Sequence, residues 1–345
     1  MTIVETRAVT GGVDTHLDVH VAAVLDPIGG LLGVESFPTT PAGHVELAEW
    51  MGSFGVVARV GVEGTGSYGA GLARHLAARG VEVVEVDRPN RQARRRTGKT
   101  DQADAIEAAR AAQGGRAFGR AKSRDGEVEA IRALVVAKRS ARSTRIKTIN
   151  QIRHLGFCAP DPLRDQLAGL SRTRIAPVAA SLRPHPGGDP VTYATKVALR
   201  TLGQRVLALD AEKAALDELI GRHVAQVAPG LLDLPGVGVD TAALLLVAAG
   251  DNPERLRSEA AWAHLCGVAP IEASSGKVTR RRLNRGGDRQ ANHALWRVVI
   301  TRMGVDERTK VYVTRRLAEG LSKSEIIRCL KRYVAREVYR QLPRG

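Results

Sequence analysis

The chain has 345 residues, of which 43% are hydrophobic and 26% charged, the balance of a folded protein long enough for two domains of ordinary size. Fifty-two Lys and Arg against 36 Asp and Glu give a net charge of +16, which disfavours a small-molecule enzyme and favours a polyanionic partner. Three scattered cysteines exclude a disulfide framework and predict a reducing, cytoplasmic compartment. No apolar run approaches the ~20 residues that span a bilayer, and no signal peptide is visible, so we expect no membrane association.

The first third of the chain alternates strand and helix patterns. Val-rich runs over residues 12–25 and 31–37, separated by Asp26-Pro27-Ile28-Gly29-Gly30, predict a hairpin. A helix through Met51, a buried strand over 56–62, a helix over 67–79 and a strand over 81–86 follow. After a basic loop, a helix starts at Asp101 and ends at Gly114-Gly115. This order predicts an α/β domain over residues 1–120, with its ligands at the carboxyl ends of the strands.

Strand patterns disappear from the middle of the chain. Residues 127–155 predict a long basic helix, and apolar positions from Leu202 to Val224 predict a second one beyond the loop 183–190. We therefore assign residues 121–228 to a helical linker, interpreted as an intramolecular hairpin or as a coiled coil between subunits. Residues 229–345 are predicted to form a mainly helical domain.

Four carboxylates fall at predicted strand ends and a helix start. Asp14 lies in the first β-run, Glu63 closes a buried strand, and Asp101 and Asp104 share one face of a helix. Mg²⁺ prefers such oxygen ligands, and two ions held by these four residues would support phosphodiester chemistry. The alternative is that Asp101 and Asp104 serve the helix start as cap and dipole residues. Beside Asp14, the alternation of His16, Asp18 and His20 allows a His/Asp metal site, but we favour a solvated strand face, of which such alternation is typical.

Two arginine-rich segments predict contacts with phosphate groups. The first precedes Asp101 and the second follows a Ser-Ser-Gly turn. The candidate nucleic-acid ligands are Arg88, Arg91, Arg94, Arg95, Arg96, Lys99, Lys277, Arg280, Arg281, Arg282 and Arg285. In isolation the Ser-Ser-Gly turn predicts only flexibility, although a serine among arginines also suits attack on a phosphodiester.

Leu234-Pro235-Gly236-Val237-Gly238 is similar to a helix-hairpin-helix element. In such elements, backbone N–H groups at a helix start, here near Gly236 and Gly238, contact DNA phosphate. An ordinary turn between two helices explains the same residues equally well.

Taken together, several segments resemble the DEDD transposases of the IS110 insertion-sequence family. The resemblance follows the family's order over nearly the whole chain and rests on Val-Asp14, Val62-Glu63-Gly-Thr-Gly, Lys99-Thr-Asp101-Gln-Ala-Asp104-Ala, Leu234-Pro-Gly-Val-Gly and Gly267-Val-Ala-Pro270 followed by Ser275-Gly276.

The resemblance implies an RNase H-like (RuvC-like) N-terminal domain, a coiled-coil linker and a C-terminal transposase domain. It further implies that Asp14, Glu63, Asp101 and Asp104 bind Mg²⁺ and that Ser275, the serine next to Gly276, forms a covalent bond to DNA. The implied partners are donor and target DNA, a structured non-coding guide RNA (a bridge RNA), and further copies of the chain, as a dimer and as a tetramer in synapsis.

Three alternative functions use subsets of the same residues. A RuvC-like endonuclease of branched DNA would use the four acids with water as the nucleophile. A non-catalytic nucleic-acid-binding protein would use only the basic helices and the hairpin element. A phosphotransferase is disfavoured because no Walker-type Gly-Lys-Ser follows residues 61–66.

Overall fold

A computed structural model describes residues 7–86, 100–115, 119–120, 122, 124–251, 256–278 and 280–343. These residues divide into two compact units, one formed by the N-terminal 126 residues together with a short segment after Ala249, the other by 127–249 and 258–344. Each unit is described separately.

The N-terminal unit is built on one six-stranded mixed sheet, which confirms the predicted α/β class. Its elements are β1 (Ala8–Thr15), β2 (Val19–Leu25), β3 (Leu31–Pro38), α1 (Pro41–Ser53), β4 (Val56–Glu63), α2 (Ala70–Ala78), β5 (Glu82–Val86), α3 (Asp101–Gln113) and β6 (Gly119–Arg120). The strands lie in the order β3-β2-β1-β4-β5-β6. β1, β4 and β5 are parallel, whereas β2, β3 and β6 run antiparallel to their neighbours.

The two faces of this sheet carry different packing. On one face Val13 and Val62 join Leu47, Met51 and Leu72 of α1 and α2 in the main hydrophobic core. On the other face α3 packs with small side chains, because Ala105, Ala108, Ala109 and Ala112 are all buried. This second face carries the candidate site.

The second unit is helical apart from one short hairpin. Its elements are α4 (Glu127–Phe157), α5 (Asp161–Leu167), α6 (Ile175–Ser181), α7 (Pro190–Val227), α8 (Pro229–Leu232), α9 (Val239–Ala249), α10 (Glu259–Leu265), β7 (Ile271–Glu272), β8 (Arg281–Arg282), α11 (Arg289–Val305), α12 (Glu307–Ala318) and α13 (Lys323–Gln341). None of the described helices is both long and apolar enough to cross a bilayer.

The long helices α4 and α7 form an antiparallel pair within one chain. Ion pairs connect Glu127 to His223, Lys138 to Asp217 and Arg145 to Asp210, so the partner number falls as the α4 number rises. Helices α5 and α6 cover one end of the pair through a shared apolar core. This arrangement is the predicted hairpin, and the domain boundaries at 120/121 and 228/229 stay predictions.

Candidate metal site and serine hairpin

Two neighbouring glycines let α3 approach the sheet unusually closely. Gly12 of β1 and Gly61 of β4 are register partners. A Cβ atom at Gly12 would lie 2.1 Å from the backbone nitrogen of Ala109, and one at Gly61 would lie 2.5 Å from the carbonyl oxygen of Ala108. No side chain fits in either space, so the backbone of α3 lies directly against the two strands.

This close approach directs the acidic residues toward one edge of the sheet. Side chains of a strand alternate between its faces, so Asp14 and Glu63, each two residues beyond a glycine, share the α3 face. Asp101 and Asp104 lie in the first turn of α3. The predicted convergence of strand ends and helix start is therefore present in the backbone.

The helix start itself is capped by a different residue. Thr100 adopts an extended conformation, and its hydroxyl accepts a hydrogen bond from the backbone N–H of Ala103 at 3.2 Å. Because Thr100 performs the capping, Asp101 and Asp104 are not needed as cap residues, whereas their position in the first turn still suits the helix dipole.

Asp14, His16 and Asp101 form a compact group of potential metal ligands. The Nε2 atom of His16 lies 3.1 Å from Oδ2 of Asp14 and 3.4 Å from Oδ1 of Asp101. One ligand atom from each residue falls within 4.8 Å of the other two. Asp14 is buried, whereas half of the Asp101 side chain is exposed, so the group opens to solvent on the helix side.

The environment of Asp14 disfavours its negative charge. Burial raises the pKa of Asp14 above its ordinary value, His16 opposes this rise, and the charges of Asp104 and Asp101 add to it. Crowded carboxylates of this kind repel one another until a cation lies between them. The donor set, mainly carboxylate oxygen, fits a hard divalent cation such as Mg²⁺.

Asp104 lies on α3 one turn after Asp101, and Glu63 closes β4, the strand next to β1. Asp104 is buried and acts electrostatically on Asp14. Glu63 is half-buried at the end of β4, where its carbonyl accepts a hydrogen bond of 2.7 Å from the Thr15 hydroxyl. Gly64 then turns the chain with a φ of 73°, a conformation that favours glycine.

The interpretation of His16, Asp18 and His20 as one solvated strand face is wrong. His16 and Asp18 lie in the turn between β1 and β2, not on a strand. His20 is fully buried and stacks on His44 with 5.5 Å between ring centroids. The three-residue turn interrupts the alternation, and it brings His16 back over Asp14. A His/Asp metal site was the less favoured alternative in the sequence analysis, and the position of His16 beside Asp14 and Asp101 fits that alternative better.

Ser275 lies at the tip of the β7–β8 hairpin. Its backbone pairs with that of Val278 in both directions at 3.1 Å, and Gly276 takes a φ of 56° inside the turn. Ser275 is exposed, and its hydroxyl makes no hydrogen bond with any described residue. The preceding hydroxyl differs, because Ser274 Oγ accepts a hydrogen bond from the Arg280 N–H at 3.2 Å.

The structure describes the second of the two basic segments but not the cations of the first. Arg88, Arg91, Arg94, Arg95, Arg96 and Lys99 lie outside the described residues. Lys277, Arg280, Arg281, Arg282 and Arg285 are exposed on and after the hairpin, and none of them forms an ion pair with a described carboxylate. Their predicted contacts with phosphate stay predictions.

The Leu234 to Gly238 segment is a turn between the four-residue helix α8 and α9. Gly236 has a φ of 74°, and the N–H of Gly238 donates to the Thr241 hydroxyl at 3.0 Å. The turn is held by Arg302, which donates to the Pro235 carbonyl at 2.6 Å and to Glu337 at 2.7 Å. Arg302 is buried and was missed by the sequence analysis, because a lone arginine in a basic chain carries no signal.

Comparison with known proteins identifies the class to which both regions belong. Residues 11–155, which include the acidic group, match a family described as a transposase, the DEDD transposases of the IS110 type. Residues 228–314, which include the serine hairpin, match the transposases of the IS116/IS110/IS902 family. The chain therefore contains two segments that match domains of IS110-family transposases.

A curated relative supports the first of these matches. The chain is 30% identical over 146 residues to an uncharacterized 43.6 kDa protein of the insertion element IS110 from Streptomyces coelicolor. The similarity covers 41% of this chain and 36% of that protein's length.

Proposed function

We propose that this chain is the transposase of an insertion sequence, a recombinase that excises and inserts DNA by serine strand exchange assisted by Mg²⁺. The observation that carries the proposal is the group formed by Asp14, His16 and Asp101 at the edge of the sheet, within a segment that matches DEDD transposases. The RuvC-like assignment of the N-terminal fold is part of the same proposal.

The acidic residues would hold the cation. Asp14 and Asp101 lie in one group with His16, Asp104 acts electrostatically on Asp14, and Glu63 on the same face would complete the set. A bound divalent ion would supply charge stabilisation at the phosphodiester and lower the pKa of an attacking hydroxyl. The exposed part of Asp101 leaves this edge accessible to a nucleic-acid backbone.

Ser275 would be the nucleophile. Its Oγ would bond to phosphorus, one P–O ester bond would break, and the departing oxygen would leave as a hydroxyl after the serine proton has been transferred. The exposed hydroxyl without a described partner supports Ser275 over Ser274, whose hydroxyl closes the hairpin. Arg280, Arg281 and Arg282 nearby would stabilise the charge on the phosphorane.

The proposed partners are donor and target DNA and a structured guide RNA, with the chain acting as a dimer that assembles into a tetramer in synapsis. The net charge of +16 supports contact with nucleic acid. We place this activity in the cytoplasm.

Trapping the covalent intermediate tests the nucleophile. With Mg²⁺ and donor DNA, we expect a DNA-linked protein that survives denaturation and disappears after protease digestion. Ser275→Ala should abolish this species, whereas the matched control Ser274→Ala should retain it at a lower level. An adduct lost in Ser274→Ala and kept in Ser275→Ala would assign the neighbouring serine instead.

A RuvC-like metal-dependent endonuclease is the second candidate, because the acidic group alone suffices for attack by water. In that case Ser275→Ala would still cleave branched DNA and leave free ends. Cleavage by neither the parent chain nor the variants, at any Mg²⁺ concentration, would leave a nucleic-acid-binding protein.

A further inference from the structure

A second site lies at the base of the serine hairpin, within the C-terminal unit. A cavity of about 590 Å³ opens between the hairpin and α13. Five cationic side chains line it, and no carboxylate does among the residues that the structure describes: Arg281, Arg285, Arg328, Lys331 and Arg332. The volume falls within the ordinary range for small-molecule sites.

Most of these cations lack a compensating charge. Arg332 forms a bidentate ion pair with Glu259, which neutralises its charge. Arg328 donates only to the carbonyl and hydroxyl of Ser324. Arg281 and Arg285 form no ion pair with a described residue. The cavity therefore keeps a strong excess of positive charge.

Lys331 is the cation that is most clearly held in place. Its Nζ donates to Oδ1 of Asn292 at 2.9 Å. The amide nitrogen of Asn292 donates in turn to the carbonyls of Cys266 at 2.8 Å and Gly267 at 3.3 Å, so the orientation of this amide is fixed. A neutral amide leaves the ammonium charge uncompensated. Burial, followed by the charge of Arg328, lowers the pKa of Lys331.

The cavity also presents an apolar surface. Leu283 is 55% exposed and Tyr333 is 47% exposed, although both line this concave site, and Pro270 contributes a third apolar group. Exposed apolar side chains beside unpaired cations suit a ligand that is anionic at one end and flat or apolar at the other.

We propose that this cavity binds a deoxynucleotide of the DNA strand, with the phosphate at Lys331, Arg328 and Arg281 and the sugar and base against Leu283, Pro270 and Tyr333. The choice of DNA rests on the proposed function, because Pro270 directly precedes β7 and Arg281 lies in β8, the two strands whose connecting turn carries Ser275. A nucleotide bound at the base of the hairpin would fix the position of the DNA strand relative to Ser275 at the hairpin tip.

Equilibrium binding of a short probe to the full chain tests this site without catalysis. The probe is the phosphorylated deoxydinucleotide pTpT in the absence of Mg²⁺, at about 0.1 M salt. We expect Lys331→Gln and Arg328→Gln each to weaken binding about tenfold or more, because each removes a charged hydrogen bond to phosphate. Arg336→Gln is the matched control, since Arg336 lies on α13 outside the cavity. Lys331→Arg, which keeps the positive charge, should retain most of the parent chain's affinity for pTpT.

Four outcomes would overturn the proposal. One is equal affinity of Lys331→Gln and the Arg336→Gln control. A second is equal binding of TpT without the terminal phosphate, and a third is equal binding of inorganic phosphate alone. Preference for the ribonucleotide pUpU would exclude DNA as the ligand. A DNA adduct at Ser275 without pTpT binding would reject the cavity alone, whereas pTpT binding without any adduct would reject the proposed strand exchange alone.

Discussion

The acidic group and the serine hairpin differ in how firmly the chain holds them. Asp14 and Asp104 are buried, and their backbones belong to a strand and a helix that are in direct contact over Gly12 and Gly61. Ser275 lies on an exposed turn that is closed by its pairing with Val278 and by the Ser274 hydroxyl. Charged ligands of one metal ion must be held to within a fraction of an ångström, whereas a nucleophile has to reach a strand of DNA.

This difference separates stability from activity in the two regions. A substitution at the acidic group alters electrostatics inside a packed element, and a substitution around it disturbs packing. We expect a substitution at the hairpin tip to remove the proposed nucleophile and to leave the fold intact. Four substitutions test this separation.

Asp14→Asn should abolish DNA cleavage, by at least about 10³-fold, because it removes a buried ligand of the proposed cation. The free energy of unfolding should stay equal or rise, since the charge of Asp14 is disfavoured by burial and by its acidic neighbours. Chemical denaturation and a cleavage assay on the same preparation measure both effects. Asp18→Asn, in the adjacent exposed turn, is the control and should cleave normally. Cleavage by Asp14→Asn would remove the acidic group from the mechanism.

Arg302→Ala should lower the free energy of unfolding by about 3 kcal/mol, because it removes a buried cation that donates to a backbone carbonyl and to a partly exposed carboxylate. The substitution leaves the Pro235 carbonyl and the Glu337 carboxylate without their donor under the Leu234 to Gly238 turn. Arg289→Ala, at the exposed start of the same helix, should change stability by less than about 0.5 kcal/mol. Equal midpoints of urea denaturation for the two variants would contradict a structural role for Arg302.

Gly12→Ala should cost about 3 kcal/mol, because its methyl group would overlap the backbone of Ala109 and push α3 from the sheet. The same displacement would move Asp101 and Asp104 away from Asp14, so cleavage should be lost in the fraction that remains folded. Gly52→Ala is the matched control, since a Cβ at Gly52 meets no atom within 4 Å, and it should stabilise α1 by up to about 1 kcal/mol. Cleavage at the parental rate by Gly12→Ala would contradict the role assigned to the glycine pair.

The local pattern predicted most strands and helices of the N-terminal unit in chain order, because alternating strands and helices leave a periodic signal, but it did not predict the two-residue strand β6. The motif spacing also predicted that Asp14, Glu63, Asp101 and Asp104 belong to strand ends and a helix start. Periodicity did not predict the turn at residues 16–18, because the polar–apolar–polar sequence His16-Leu17-Asp18 has the same pattern in a turn as on a strand with one solvated face.

Other features depend on contacts between distant residues. To predict that Gly12 pairs with Gly61, one must know the register of two parallel strands. To predict why both residues are glycine, one must also know where α3 packs. The contacts of Arg302 with Pro235 and of Lys331 with Asn292 depend on how helices rotate about their axes. A sequence rich in Arg and Lys gives no sign of which few cations are buried.

The smallest expected effect concerns His20, the buried histidine of β2. It tests whether a charge in the core, outside the acidic group, makes stability depend on pH. Burial, followed by the charges of His44 and His16, lowers the pKa of His20 to about 4. Between the ordinary pKa of about 6.5 and this value, the unfolded chain binds a proton that the folded chain does not. The free energy of unfolding should therefore keep its full value above pH 6.5 and fall by about 2 kcal/mol on acidification to pH 4.5. His20→Phe, which keeps a ring stacked on His44, should reduce this slope by about one proton, whereas Asp18→Asn should not. An unchanged slope in His20→Phe, measured by denaturation across this range, would show that other groups cause the acid sensitivity of the unit.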